Sequence, residues 1–148
     1  MLKFGKHEFP HFSRVQFIKT PAEGIAKSRR RDGLLVINLH WWPKLKEEHK
    51  MFVLCHEEGH IAHNTRDEML ADKYASEKYF AAGYSLSESV KAITQLLKTR
   101  NPVHTARAWV QFQRALKYDW EVNKNQKAYR TRYDNINDAK FKLLNNEF

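Results

Sequence analysis

The chain has 148 residues, 42% hydrophobic and 29% charged, a balance that excludes a disordered chain and predicts one folded domain over 1–148. Its longest apolar run, residues 51–55, falls far short of the ~20 residues of a membrane span, and its N-terminal MLKFGKHEFP lacks the apolar stretch of a secretory signal. The single cysteine, Cys55, excludes an internal disulfide framework, so a cytoplasmic setting without membrane contact is expected.

The first 40 residues read as a strand region. Val15 and Phe17 alternate with polar neighbours, and Pro21 and Gly24 interrupt them. Arg29-Arg30-Arg31-Asp32-Gly33 is a polar turn whose Asp-Gly pair signals a hairpin. The apolar run 34–39 follows as a second strand, so a small antiparallel sheet is expected. Trp41 and Trp42 then mark the junction to helix, with Pro43 suited to a first turn.

A central helix is expected from there to about His63, because residues 51–55 are apolar nearly all round. Thr65 and Glu68 have capping-box spacing, which predicts a second helix from Arg66 to about Ala82, stopped by Gly83. Ser85 and Glu88 repeat that spacing, and Leu86, Val90, Ile93 and Leu97 give a third helix its apolar stripe. Two further helices are expected over the basic extension 101–148, the last marked by Tyr129, Tyr133, Ile136, Lys140 and Leu143. The predicted class is α+β, with region 41–100 as a helical core.

The chemistry lies in His56-Glu57-Glu58-Gly59-His60, an HExxH motif inside the central helix. Residues i and i+4 share a helix face, so two imidazoles can hold one tetrahedral Zn²⁺. Glu57, next to the first histidine, can serve as the general base toward water acidified by the metal, which is what amide hydrolysis needs. A third ligand is required. Glu68 and Asp72 are i, i+4 on the second helix, so Glu68 can bind the metal while Asp72 accepts a hydrogen bond from a ligand histidine. Asp72 itself and His63 stay open as third ligands. Cys55, directly before His56, reads as a buried thiol turned away from that face.

The stretch VLCHEEGHIAHNTRDEMLADKYA resembles zinc metallopeptidases of the gluzincin type, in which HExxH is followed by Glu-x-x-Ala-Asp on a second helix. It is most similar to the catalytic core of the integral-membrane prenyl-protein peptidases and their minimal soluble relatives, and to small repressor-cleaving peptidases of mobile elements. The resemblance covers about residues 34–100. It implies His56, His60 and Glu68 as zinc ligands, Asp72 as the residue orienting a ligand histidine, and a peptide or protein substrate. It also implies that an edge strand near Val36-Ile37-Asn38-Leu39 pairs with extended substrate. Only seven residues separate His60 from Glu68, fewer than the family pattern. His104, Tyr74 and Tyr84 are the candidates for the side chain that stabilises the oxyanion.

The flank charges add a second theme. The net +9 divides into +5 over residues 1–33, zero over 34–100 and +4 over 101–148. Cations and aromatics interleave over residues 107–142, which suits an anionic protein or nucleic-acid partner. Two functions follow. One is a zinc peptidase. The other is a non-catalytic metal-binding structural or interaction protein built on the same core, docking through the basic extension. A phage-encoded protein acting in host cytoplasm or virion fits either.

Overall fold

The computed structural model describes residues 2–96 and 102–123. It has the α+β class expected, with a two-stranded antiparallel sheet first, a further sheet, and then four α-helices among the described residues. The chain divides into two compact units, Met1–Tyr79 and Phe80–Phe148. The last expected helix, over residues 129–143, lies outside the described residues.

In the first unit, β1 (Leu2–Phe4) and β2 (His7–Phe9) pair antiparallel as a hairpin. The second sheet has β3 (Arg14–Ile18), β4 (Ala26–Arg29) and β5 (Leu34–Asn38) in the order β3-β5-β4. β3 runs parallel to β5, and β4 antiparallel to it. The Asp-Gly turn does close a hairpin, but between β4 and β5. The sheet is therefore mixed, and the run around residues 36–39 is no edge. β5 is the central strand and is buried along its whole length, so both faces of the sheet are covered there. The edges are β3 and β4.

Asn38 ends β5 and is fully buried. Its amide nitrogen donates to the carbonyls of Thr20, Glu23 and Gly24 at 2.8, 3.1 and 3.0 Å. Its oxygen accepts from the Thr20 and His40 backbone N–H groups, both at 3.1 Å. One buried side chain thus pins the loop that delivers the chain to β4 against the end of β5.

Trp42–Lys44 form a short 3-10 turn around Pro43, and α1 proper is Glu47–Ala62. Glu47 and Glu48 complement the positive end of its dipole. Every residue from Met51 to His60 is buried, so α1 is the core helix that the apolar run predicted. Cys55 is buried and free, and burial pushes its thiol pKa up to about 12, which makes it an inert core residue.

The second helix, α2 (Glu68–Ala81), starts later than the Thr65 capping box requires. Asp67 is its cap instead, accepting from the Met69 and Leu70 N–H groups at 2.8 and 3.4 Å. Gly83 follows α2 at φ +88°, the left-handed geometry expected of a helix-ending glycine. α1 and α2 approach closely where Gly59 faces Ala71 and Tyr74.

In the second unit, α3 (Leu86–Leu96) and α4 (Pro102–Tyr118) pack together. Ser85 caps α3 through the Glu88 N–H at 3.4 Å. Leu86, Val90 and Ile93 are buried, as are Ala108, Phe112 and Ala115. Inside the pair, Gln111 Nε2 donates to Ser89 Oγ at 3.1 Å. Arg107, expected on a basic outer face, is buried as well, so part of that cation-aromatic pattern serves packing.

Candidate metal centre

His56 and His60 stand one turn apart on α1, and their far ring nitrogens are both tied down. His60 Nδ1 lies 2.8 Å from the Thr65 carbonyl oxygen. A carbonyl only accepts, so Nδ1 carries the proton and Nε2 presents a lone pair. His56 Nδ1 lies 2.8 Å from Asp72 Oδ1 on α2, and that buried carboxylate fixes the same tautomer. The two Nε2 atoms then face each other at 3.1 Å. Glu68, in the first turn of α2, completes the group: Oε2 is 3.0 Å from His56 Nε2, and Oε1 is 3.3 Å from His60 Nε2.

With both imidazoles neutral, four acceptor atoms converge on one point, and a cation there satisfies all of them. The spacing fits one. Zinc bonds of about 2.05 Å to nitrogen place tetrahedral neighbours about 3.3 Å apart. Glu57 joins the same cluster, and the buried His56–Glu57–His60 group, whose ligand atoms lie within 4.8 Å of one another, could hold a metal ion.

Glu57 is buried beside the edge strand, where Ser28 Oγ donates to its Oε2 at 3.1 Å. Burial raises the Glu57 pKa, while His56, His60 and the Ser28 hydrogen bond pull it back. A carboxylate held this way is a better proton acceptor than an exposed one. Ser28 has no signal in the sequence, because β4 reads Ala-Lys-Ser-Arg and shows no apolar alternation.

Of the other expected residues, His63 packs its ring edge-on against Tyr74 at 5.6 Å. The Tyr74 hydroxyl donates to Glu58 Oε1 at 2.6 Å, so it is committed elsewhere than to an oxyanion. Tyr84 and His104 belong to the second unit, and the His104 side chain lies outside what is described.

Glu58 is a second functional-looking residue that the motif conceals, since its position in HExxH is free to vary. Its carboxylate is fully buried. Lys78 Nζ meets Oε1 at 2.6 Å and also donates to the Glu8 carbonyl at 2.6 Å. The His11 backbone N–H reaches Oε2 at 3.4 Å. The Lys78 ammonium also stands 4.1 Å from the centre of the Phe9 ring. The network ties α1, α2 and the N-terminal hairpin together.

The hydrogen bonds predict how metal binding depends on pH. Burial opposes a charge on His56, but its hydrogen bonds to Asp72 and Glu68 outweigh that and push its pKa up to about 10. The charged imidazole stabilises the metal-free fold fully below its ordinary value of 6.5, and that contribution is lost as pH rises toward about 10. A metal ion must displace this proton. Calorimetric titration with Zn²⁺ at pH 7.5, in buffers of different ionisation heat, should read about one proton released per ion. Apparent affinity should climb roughly tenfold per pH unit and flatten near the His56 pKa. Titration without proton release would mean that His56 does not bind the ion.

The site accordingly stands on its own geometry: comparison with protein-family models, with curated proteins and with solved structures finds no match to this chain.

Proposed function

We propose that the protein is a zinc-dependent peptidase. The observation that carries this reading is the convergence of His56 Nε2, His60 Nε2 and the Glu68 carboxylate beside Glu57, whose carboxylate is held by Ser28 of the edge strand. The residue order also resembles the gluzincin pattern. His56, His60 and Glu68 would hold the ion, with Asp72 and the Thr65 carbonyl fixing the imidazoles. When bound, zinc supplies a Lewis acid that polarises a peptide carbonyl and acidifies water. Glu57 takes the proton of the attacking water and delivers it to the leaving amine, so it begins and ends the cycle ionised. Ser28 holds that carboxylate in place.

β4 replaces the run at residues 36–39 as the strand on which substrate would lie. It is a sheet edge, and Ser28 brings it to Glu57. An extended peptide adding to that edge would run past the centre.

The second reading, a metal-binding structural protein, is favoured by one contact. Tyr74 spends its hydroxyl on Glu58 and so does not supply the oxyanion donor that a peptidase uses.

The test separates metal from catalysis. Purified protein reconstituted at neutral pH should carry about one Zn²⁺ per chain by elemental analysis. Glu57→Gln should keep the ion and the fold but abolish cleavage of a mixed peptide library, because an amide cannot take the proton. Zinc-loaded wild type that cleaves nothing in the library would favour the structural reading. Loss of zinc in Glu57→Gln would make Glu57 a ligand.

A further inference from the structure

Glu57 stands close enough to the two histidines to be either a base or a ligand. His60 lies three residues on along α1, so the two side chains are neighbours on the helix surface. The ligand atoms of His56, Glu57 and His60 fall within 4.8 Å of one another, at most about 1.5 Å beyond the roughly 3.3 Å between tetrahedral neighbours of one zinc ion. A glutamate crosses that gap by turning its own side-chain bonds, so α1 alone does not decide where the carboxylate points.

The anchor comes from the sheet. Among the described residues the Glu57 side chain accepts one hydrogen bond, from Ser28 Oγ to Oε2 at 3.1 Å. Ser28 sits on β4, a strand that packs against α1 and is kept in register by β5, where Ser28 pairs with Leu35. Glu68 differs: its two oxygens lie against the two Nε2 atoms, at 3.0 and 3.3 Å. One carboxylate is drawn to the ligand nitrogens, and the other is tethered to the sheet.

We propose, building on the peptidase reading, that Ser28 keeps Glu57 off the metal, so that the fourth position stays open for water and substrate. A catalytic zinc site has three protein ligands and one open position, whereas a structural site is closed by a fourth. His56, His60 and Glu68 supply three. Without the Ser28 hydroxyl, Glu57 is free to supply the fourth, and a carboxylate spent on the metal no longer takes a proton from water. Ser28 is thus a positioning residue. It acts through Glu57 and sets whether the same three ligands make a catalytic or a structural centre.

The test is a change of unusual sign. Removing a residue that merely supports a metal site lowers affinity, typically by about 10–100-fold. Ser28→Ala should instead raise zinc affinity about tenfold, the scale of one released hydrogen bond to a charged group. Chelator competition on the full chain reads it. Ser28→Thr, which keeps the hydroxyl, should hold the wild-type affinity. The double variant Ser28→Ala, Glu57→Gln should show no gain over Glu57→Gln, because the amide is not an anionic ligand. The cobalt(II)-loaded chain reads the open position: imidazole should shift its visible spectrum in wild type, and Ser28→Ala should need more imidazole for the same shift. Unchanged or lowered zinc affinity in Ser28→Ala, or a gain that survives Glu57→Gln, would overturn the assignment. On a peptide that wild type cleaves, Ser28→Ala should lower kcat and leave KM in place. Cleavage by wild type with no gain of affinity in Ser28→Ala removes this assignment and leaves the peptidase reading standing. A gain of affinity with no cleavage by wild type sinks the peptidase reading and keeps Ser28 as the residue that holds Glu57 off the ion. Failure of wild type to take up zinc would overturn both.

Discussion

Glu68→Gln should lower zinc affinity by more than about 100-fold, whereas Asp72→Asn should lower it by about 10–100-fold, the range of a residue that acts through a ligand. The difference rests on which histidine atoms each carboxylate faces. Glu68 lies against both Nε2 atoms, the side where a metal sits, and Asp72 against Nδ1 of His56, the side where a proton sits. The fold should respond in the opposite order. The Glu68 side chain is 48% exposed, so its amide leaves nothing stranded. Asp72 is fully buried, and replacing its charge at a buried hydrogen bond costs about 1–3 kcal/mol. A chromogenic chelator competition reads the first quantity, and urea unfolding of the metal-free variants reads the second. Equal, small losses of affinity would move the third ligand elsewhere, with His63 the next to test.

Gly59→Ala should destabilise the protein, against the usual sign. In an ordinary helix interior this change gains about 1 kcal/mol. Here the new methyl would stand 3.0 Å from the Ala71 carbonyl oxygen, 3.0 Å from Tyr74 Cβ and 3.1 Å from Ala71 Cα. Two of those atoms are backbone and cannot swing aside, so α1 and α2 must part. Overpacking of this kind costs about 1–3 kcal/mol. The displaced segment carries Glu68 and Asp72 on either side of Ala71, so zinc affinity should fall in the same variant. Denaturant unfolding with and without zinc measures both. A variant as stable as wild type would mean that the two helices have slack at their crossing.

These two sites show what sequence could and could not reveal. The ligand pair is legible because it is local: His56 and His60 are fixed by one helix, and Glu68 and Asp72 by the next. The second helix starts later than the Thr65–Glu68 spacing suggests for a physical reason. Thr65 could cap a helix from Arg66, but a cap residue's carbonyl accepts the first helical hydrogen bond. The Thr65 carbonyl is taken by His60 instead, and Asp67 caps the helix two residues nearer to Glu68. Sheet order was illegible because β3 pairs with β5 in parallel across intervening chain, and β4, without apolar alternation, looks like loop. Ser28 is hidden with it. Asn38 was hidden in an apolar run, because only the folded loop shows which carbonyls it serves.

The Glu58 network has a consequence for the order in which the protein is made. The hairpin β1–β2 leaves the ribosome before the helices, yet the ammonium that fastens it belongs to Lys78, which bridges to Glu8 across 70 positions of sequence. Both motif histidines are synthesised before Lys78, and so is Glu68. The helix that carries the motif is therefore complete while its buried carboxylate still lacks its counter-ion. A nascent chain arrested before Lys78 emerges should leave the hairpin open to protease. Release of a few more residues should close the first unit in a single step, because contacts so distant in sequence form late.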